Sequence, residues 1–257
     1  MAGKDINKVI CKSGGVKPSC RASFWLFAKA TKSFLAFTLA ETLIVMGIIG
    51  IVSALTLPNL NSSTGEKEKV AKVKKLYQNL DDAYGRATSV YGPIDEWFVN
   101  DADDEAKTKR FAERMTEFMK VSKNCQFGEG CFSKGTSYQP DGSKMDDNYY
   151  SSMSGFYMVI LADGSSLGFG YGAEPGKRIR VDIDGPNKGK NQIGNDLFDF
   201  NIDDEKTLIP AVNLQGLTGN FTKGDAWEYA TAWVIQNGNL DYLKCDDLNW
   251  ETKTSCK

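Results

Sequence analysis

Apolar and polar positions follow three different patterns along this chain. From Phe37 to Leu57, twenty-one residues carry one charge, Glu41. At ~1.5 Å rise per residue, such a run predicts a helix long enough for ~30 Å of hydrocarbon. From Val70 onward the pattern turns amphipathic. Val70, Val73, Tyr77, Leu80, Tyr84, Ala87 and Tyr91 recur at spacings of three and four, with Glu66, Lys67, Lys72, Lys74, Lys75, Asp81, Asp82 and Arg86 on the other face. That is one helical stripe, closed by Gly92-Pro93. Between the two runs, Pro58 and Asn61-Ser62-Ser63-Thr64-Gly65 predict an interruption, because Pro removes a donor and Gly weakens helical order. A second helix is predicted from Asp101 or Asp103 to about Val121, with Phe111, Met115 and Phe118 as its core face. Cys125 to about Ser154 reads as loop.

The third pattern is strand-like. Phe156–Leu161 is rich in β-formers, Asp163-Gly164 is a hairpin turn, and Ser166–Tyr171 returns. Ile179, Val181 and Ile183 alternate with Arg178, Arg180 and Asp182. These segments predict a three-stranded antiparallel meander. Leu197–Ile202 and Thr207–Pro210 are candidate short strands. Trp227–Ile235 reads as a late helix ending near Asn237-Gly238. The fold class expected is α+β: a long N-terminal helix, membrane-spanning in its first half, packed on a small antiparallel sheet with extra helices and disulfide-closed loops.

The net charge of −2 hides a split. Residues 1–36 hold seven Lys/Arg against one Asp, so the remainder carries −8. Basic flanks stay cytoplasmic, which places the N-terminus inside and the residues after Pro58 outside. An acidic outer domain lacks the basic footprint of a nucleic-acid binder. Cys11 and Cys20 fall in the basic leader, leaving Cys125, Cys131, Cys245 and Cys256 outside. An even count in an exported domain reads as two disulfides. Of three pairings, Cys125–Cys131 and Cys245–Cys256 close the shortest loops. A four-thiolate zinc site is the rival reading, but its ligand pairs are normally spaced more closely.

A carboxylate within an apolar run is expensive, by roughly 2–3 kcal/mol at a membrane centre, and needs a compensating partner. Ala36-Phe37-Thr38-Leu39-Ala40-Glu41 followed by that run resembles the cleavage and methylation signal of type IV prepilins and type II secretion pseudopilins. The resemblance covers about 25 residues and implies cutting between Ala36 and Phe37 by a prepilin peptidase, with N-methylation of Phe37. One position departs: the residue before the cut is usually Gly and here is Ala36. Glu41 is then the fifth mature residue, implied to pair with the amino-terminus of a neighbouring subunit during filament assembly. Pro58 takes the place of the family's helix-bending proline. The implied domains are a leader at 1–36, a transmembrane and assembly helix at 37–57, and an extracytoplasmic pilin-like domain at 58–257. The implied partners are other pilin or pseudopilin subunits, the peptidase, an inner-membrane assembly platform and a cytoplasmic ATPase. The implied location is the bacterial inner membrane, single-pass, and then a filament. A plain signal anchor and a secretory signal peptide are the competing readings. Ala28-Lys29-Ala30 has the form of a secretory cleavage site, but the long apolar run lies on its wrong side.

Candidate chemistry is sparse. The chain has no His, which removes His-based nucleophile systems and the H-E-x-x-H zinc motif. Gly168-x-Gly170-x-Gly172 lies inside a strand and lacks the dinucleotide-binding context. An enzyme is not expected. The one candidate ligand loop is 182–191, where Asp182, Asp184, Asn187 and Asn191 offer hard oxygens to Ca2+. Its place after the sheet resembles the calcium loop of major pseudopilins. An Asx/Gly-rich turn is the competing reading, since Lys188 and Lys190 oppose a cation. The function expected is structural, as a type II secretion pseudopilin. A surface-displayed type IV pilin and a membrane-anchored binding or enzymatic domain are the alternatives.

Overall fold

The computed structural model describes residues 38–145, 153–171, 177–212, 214 and 216–256, leaving aside the side chains of 54–63. The expected cleavage site at Ala36 and Phe37, and the side chain of Pro58, lie outside these described residues. By its contacts the chain divides into residues 1–52 and residues 53–257. Helix α1 spans Leu39–Tyr91, 53 residues, so the division falls within it.

Two expectations about α1 need correction. The interruption predicted around Pro58 to Gly65 does not occur, because the chain stays helical through it. A helix-interior Pro costs ~3 kcal/mol and a Gly ~1 kcal/mol. From Val70 onward the same helix buries Val70, Val73, Leu76, Leu80 and Ala83, at ~1.5–3 kcal/mol for each large one. The membrane-spanning first half of the expected fold is also overturned. Among the described residues, no helix is long and apolar enough to cross a membrane. The apolar part whose side chains are described, Leu39–Val52, is fourteen residues, short of the ~20 a span needs.

In the larger unit, the stripe of α1 supplies one wall of the core. Leu76 and Ala83 join the predicted positions as buried residues, so the apolar face is wider than the stripe alone. Tyr77 stacks on Phe200, with ring centroids 5.7 Å apart. Tyr84 donates from its hydroxyl to the Lys206 carbonyl at 3.0 Å. After Gly92-Pro93, a short 3₁₀ turn at Ile94–Phe98 buries Trp97 beside Tyr84 and Tyr91. Helix α2, Asp104–Thr116, is capped by the Asp103 carboxylate on the Ala106 amide at 2.8 Å. It ends five residues earlier than predicted, and the chain turns directly into a strand.

The sheet is larger than the expected meander. Six antiparallel strands run in chain order: β1 Val121–Gln126, β2 Tyr157–Leu161, β3 Ser166–Tyr171, β4 Lys177–Asp182, β5 Leu197–Ile202 and β6 Leu208–Ile209. Strand register aligns two apolar rows across four strands. Val159, Leu167, Val181 and Phe198 form one; Tyr157, Phe169, Ile179 and Phe200 form the other. Both rows belong to the core that holds α1 and α2. The opposite face carries Met158, Gly168, Arg180 and Asp199 in one row, and Ile160, Ser166, Asp182 and Leu197 in the next. A second cluster around Phe132, Met145, Met153 and Ile193 covers that face. A Cβ on Gly168 would lie 2.4 Å from the Met153 methyl, and one on Gly170 would lie 2.8 Å from the Phe156 ring. The glycine repeat of β3 is therefore a packing device for close approach.

Beyond the sheet, strands β7 Asn220–Phe221 and β8 Leu248–Asn249 pair with each other. Helix α3, Ala226–Asn237, ends on Gly238 in the left-handed conformation, at φ 69°. Phe221, Trp233 and Trp250 form an aromatic knot here, with centroids 4.5–5.1 Å apart.

Candidate functional site

The predicted assembly residue sits at the very start of α1. Thr38 donates to one Glu41 carboxylate oxygen from both its amide and its hydroxyl, each at 2.9 Å. The Glu41 amide donates back to the Thr38 hydroxyl at 3.2 Å. This is a reciprocal capping box, which satisfies amides that a helix start leaves without partners. Thr38 was not singled out as a site residue, although its T-x-x-E spacing to Glu41 is legible in the sequence. Around this carboxylate, Leu39, Leu43, Ile44, Val45, Met46, Ile48, Ile49, Ile51 and Val52 are each more than half exposed. Together they form an apolar surface on the first fourteen residues of the helix.

The second predicted site is the loop after β4. One carboxylate oxygen of Asp182, a buried residue, accepts from the amides of Asp184 and Gly185 at 3.0 and 2.9 Å. Its other oxygen has no hydrogen-bond partner among the described residues. Asp184 reaches the Lys72 ammonium on α1 at 3.1 Å, while Asn187 is exposed. Asn191 donates to the Ser133 hydroxyl at 3.0 Å. Asp182, Asp184 and Asn191 are therefore engaged by backbone amides and protein side chains. Among the described residues, no group of three or more His, Cys, Asp or Glu could hold a metal ion.

Two residues organise this loop that the sequence did not single out. Asp196, also buried, accepts from the amides of Lys190, Asn191 and Gln192. Gly189 packs so closely on it that a Cβ would lie 2.2 Å from the carboxylate. Lys69 on α1 donates to Asn195 at 2.7 Å. Together with the Lys72 contact, this fastens both ends of the loop to α1. Burial pushes the Asp182 carboxyl up to about 7, with Asp196 and Asp184 adding to the rise and the two backbone amides opposing it. Burial also raises Asp196, against its three backbone donors and Lys69. A polar cleft of about 540 Å³ opens alongside, with Thr136, Tyr138, Lys190 and Gln192 in its wall.

The cysteines pair locally. Cys125 bonds Cys131 and Cys245 bonds Cys256, with Cα–Cα distances of 6.1 and 6.0 Å. The first bridge closes a tight turn off β1, and the second ties the chain's last described residue to the turn after α3. Comparison of this chain with protein families, with curated proteins and with solved structures returns no match.

Proposed function

We propose that this chain is a structural subunit of a pilus-like filament of the type II secretion pseudopilin kind, trimmed between Ala36 and Phe37 and methylated on Phe37. The observation that carries the reading is the Phe37-Thr38-Leu39-Ala40-Glu41 motif at the opening of α1, directly ahead of an exposed apolar surface. Filament neighbours would cover that surface. The disulfides support an oxidising compartment for the larger unit. The partners are further subunits, the processing peptidase, an assembly platform and its ATPase.

Glu41 has a defined part in this reading. Its carboxylate has a holding partner in Thr38, and the new amino group on Phe37 of a neighbour offers a stronger, charged one. A buried ion pair forms well only in correct register, so the exchange selects register as well as adding strength. Mass analysis of protein from cells with an active prepilin peptidase should find a mature terminus at methylated Phe37. A terminus at Thr31, or an intact leader under those conditions, would sink the assignment. Glu41→Ala should block filament formation while cleavage continues. Glu41→Gln separates charge from hydrogen bonding, because it keeps an acceptor but loses the ion pair.

A further inference from the structure

Beside the aromatic knot, a cleft of about 280 Å³ opens on the surface of the larger unit, with no residue of α1 in its wall. Rings and polar groups line it together. Phe221 is buried, Trp250 is 7% exposed and Tyr229 is half-buried, while Thr218, Asn220 and Asp225 are exposed. The elements around the cleft hold it in shape. Strand β7 carries Asn220, helix α3 carries Tyr229 one turn after Asp225, and the Trp250 amide ties its loop to the Gly219 carbonyl at 3.0 Å. A cleft framed in this way is formed before a ligand arrives.

The polar side chains are oriented within the chain and still keep atoms for a ligand. Asp225 precedes α3 but does not cap it with its side chain. One of its carboxylate oxygens accepts instead from the amide and the hydroxyl of Thr222, each at 2.8 Å. The side-chain oxygen of Asn220 accepts from Asn249 Nδ2 at 3.3 Å. Among the described residues, the other Asp225 oxygen, the Asn220 Nδ2 and the Tyr229 hydroxyl have no hydrogen-bond partner. The cleft therefore presents a charged acceptor, an amide donor and a hydroxyl that is both, next to aromatic carbon.

These groups narrow the ligand class. The wall holds no Lys or Arg, and Asp225 would repel a phosphate or a carboxylate. An ammonium would gain from Asp225 but would leave the Asn220 donor unpaired. A lipid chain would leave all three polar groups unpaired. A neutral polyhydroxylated ring meets every one of them. Its hydroxyls donate to Asp225 and accept from Asn220, and its C–H face rests on ring carbon, where the aromatic quadrupole is negative.

We infer that this cleft is a binding site for a neutral saccharide, taking one pyranose ring. Its volume is just below the ~300–1,000 Å³ of clefts that hold larger ligands, so further sugar units would extend into solvent. One ring in an open cleft binds with a dissociation constant on the order of millimolar. Because the site uses no residue of α1, it stands or falls independently of the filament reading.

The test is saturation-transfer NMR on the full-length chain, purified in a detergent without a sugar head group. The probes are the methyl glycosides of glucose, galactose, mannose and N-acetylglucosamine. At least one should receive saturation, most strongly at its ring C–H protons. Asp225→Asn keeps an oxygen for the Thr222 donors and replaces the free acceptor by a donor, so it should weaken that probe about tenfold. Tyr229→Phe keeps the ring and loses the hydroxyl, and should weaken it about two- to fivefold. Nitration of the parent protein reads the same site without any substitution. A bound probe should slow nitration of Tyr229 about twofold or more at saturation and leave Tyr138, in the wall of the other polar cleft, unchanged. Saturation of none of the probes would overturn the inference. So would binding that neither variant alters, protection of Tyr138 in place of Tyr229, or tighter binding of glucuronic acid than of the neutral glycosides.

Discussion

At the residue scale, Asp182 shows how burial converts an ordinary turn carboxylate into a pH-dependent element. The residue is 1% exposed, and one of its oxygens, like the hydroxyl of Ser166, its cross-strand partner, has no hydrogen-bond partner among the described residues. Burial of the carboxyl away from water favours the neutral acid over the carboxylate. An unfolded Asp releases its proton near pH 3.9, and the folded one near 7. Between those values the folded protein holds a proton that the unfolded chain has lost. Stability from this group is therefore greatest at the acid end of that window and falls as pH rises to about 7. The full swing is bounded by ~4 kcal/mol. Asp182→Asn keeps the acceptor for the amides of Asp184 and Gly185 and removes the charge. Urea midpoints at pH 5 and pH 8 should show the variant gaining on the parent chiefly at pH 8. Equal differences at the two values would mean that the carboxyl titrates normally. Comparing the two proteins at each pH separates this group from Asp199, which burial also raises, while Asp196, coupled to Asp182 by charge, shifts with it.

At the element scale, β3 depends on what it lacks. It is buried on both faces, with Leu167 and Phe169 toward the helices and Gly168 and Gly170 toward the second cluster. Gly170→Ala would push against the flat ring of Phe156, and Gly168→Ala against the flexible end of Met153. The first should therefore cost more, within the ~1–3 kcal/mol range of overpacking, as read from denaturant midpoints. Equal losses would mean that Phe156 moves as freely as Met153. The same elements show what periodicity reveals. The α1 stripe was legible because it buries a regular face, β2 and β3 by their β-forming residues and the turn between them, and β4 because its apolar residues alternate with polar ones. The α3 stop at Asn237-Gly238 was legible because a left-handed cap favours Gly. Strand β1 was not, since Val121-Ser122-Lys123-Asn124 is exposed on both sides and interrupted by bulges. Strands β7 and β8 have two residues each, too few for any period. In the candidate loop, the hard oxygens were visible as residue types. Their commitment to turn amides and to Lys72 was not, because it depends on α1 passing the loop. Asp196 escaped notice because its role is set by Gly189, whose missing Cβ lets three amides converge.

At the scale of the larger unit, the vulnerable parts are the sheet edges and the chain end. The edge at β6 is two residues long, and the edge at β1 carries bulges and Lys123, whose ammonium is tied to the Gly130 carbonyl at 3.1 Å. Short, bulged and charged edges resist strand addition, and the Cys125–Cys131 loop reinforces that protection. The chain end is held differently. Strand β8 lies between Cys245 and Cys256, and the Trp250 amide donates to the Gly219 carbonyl at 3.0 Å. Asp241 accepts from the Cys256 amide at 3.0 Å, and Asn239 donates to the Thr254 carbonyl at 2.8 Å. A bridge over so short a loop restricts the unfolded chain by only about 2–3 kcal/mol. Its removal by Cys245→Ser with Cys256→Ser should therefore leave a folded protein. The loss should be local, because β8 is two residues long and sits in a two-stranded sheet with β7, apart from the ladder that joins β2 to β5. Hydrogen exchange should quicken at the β8 amides and at Trp250 well before it quickens in β3. Uniform acceleration would show that the aromatic knot and the main sheet open as one unit.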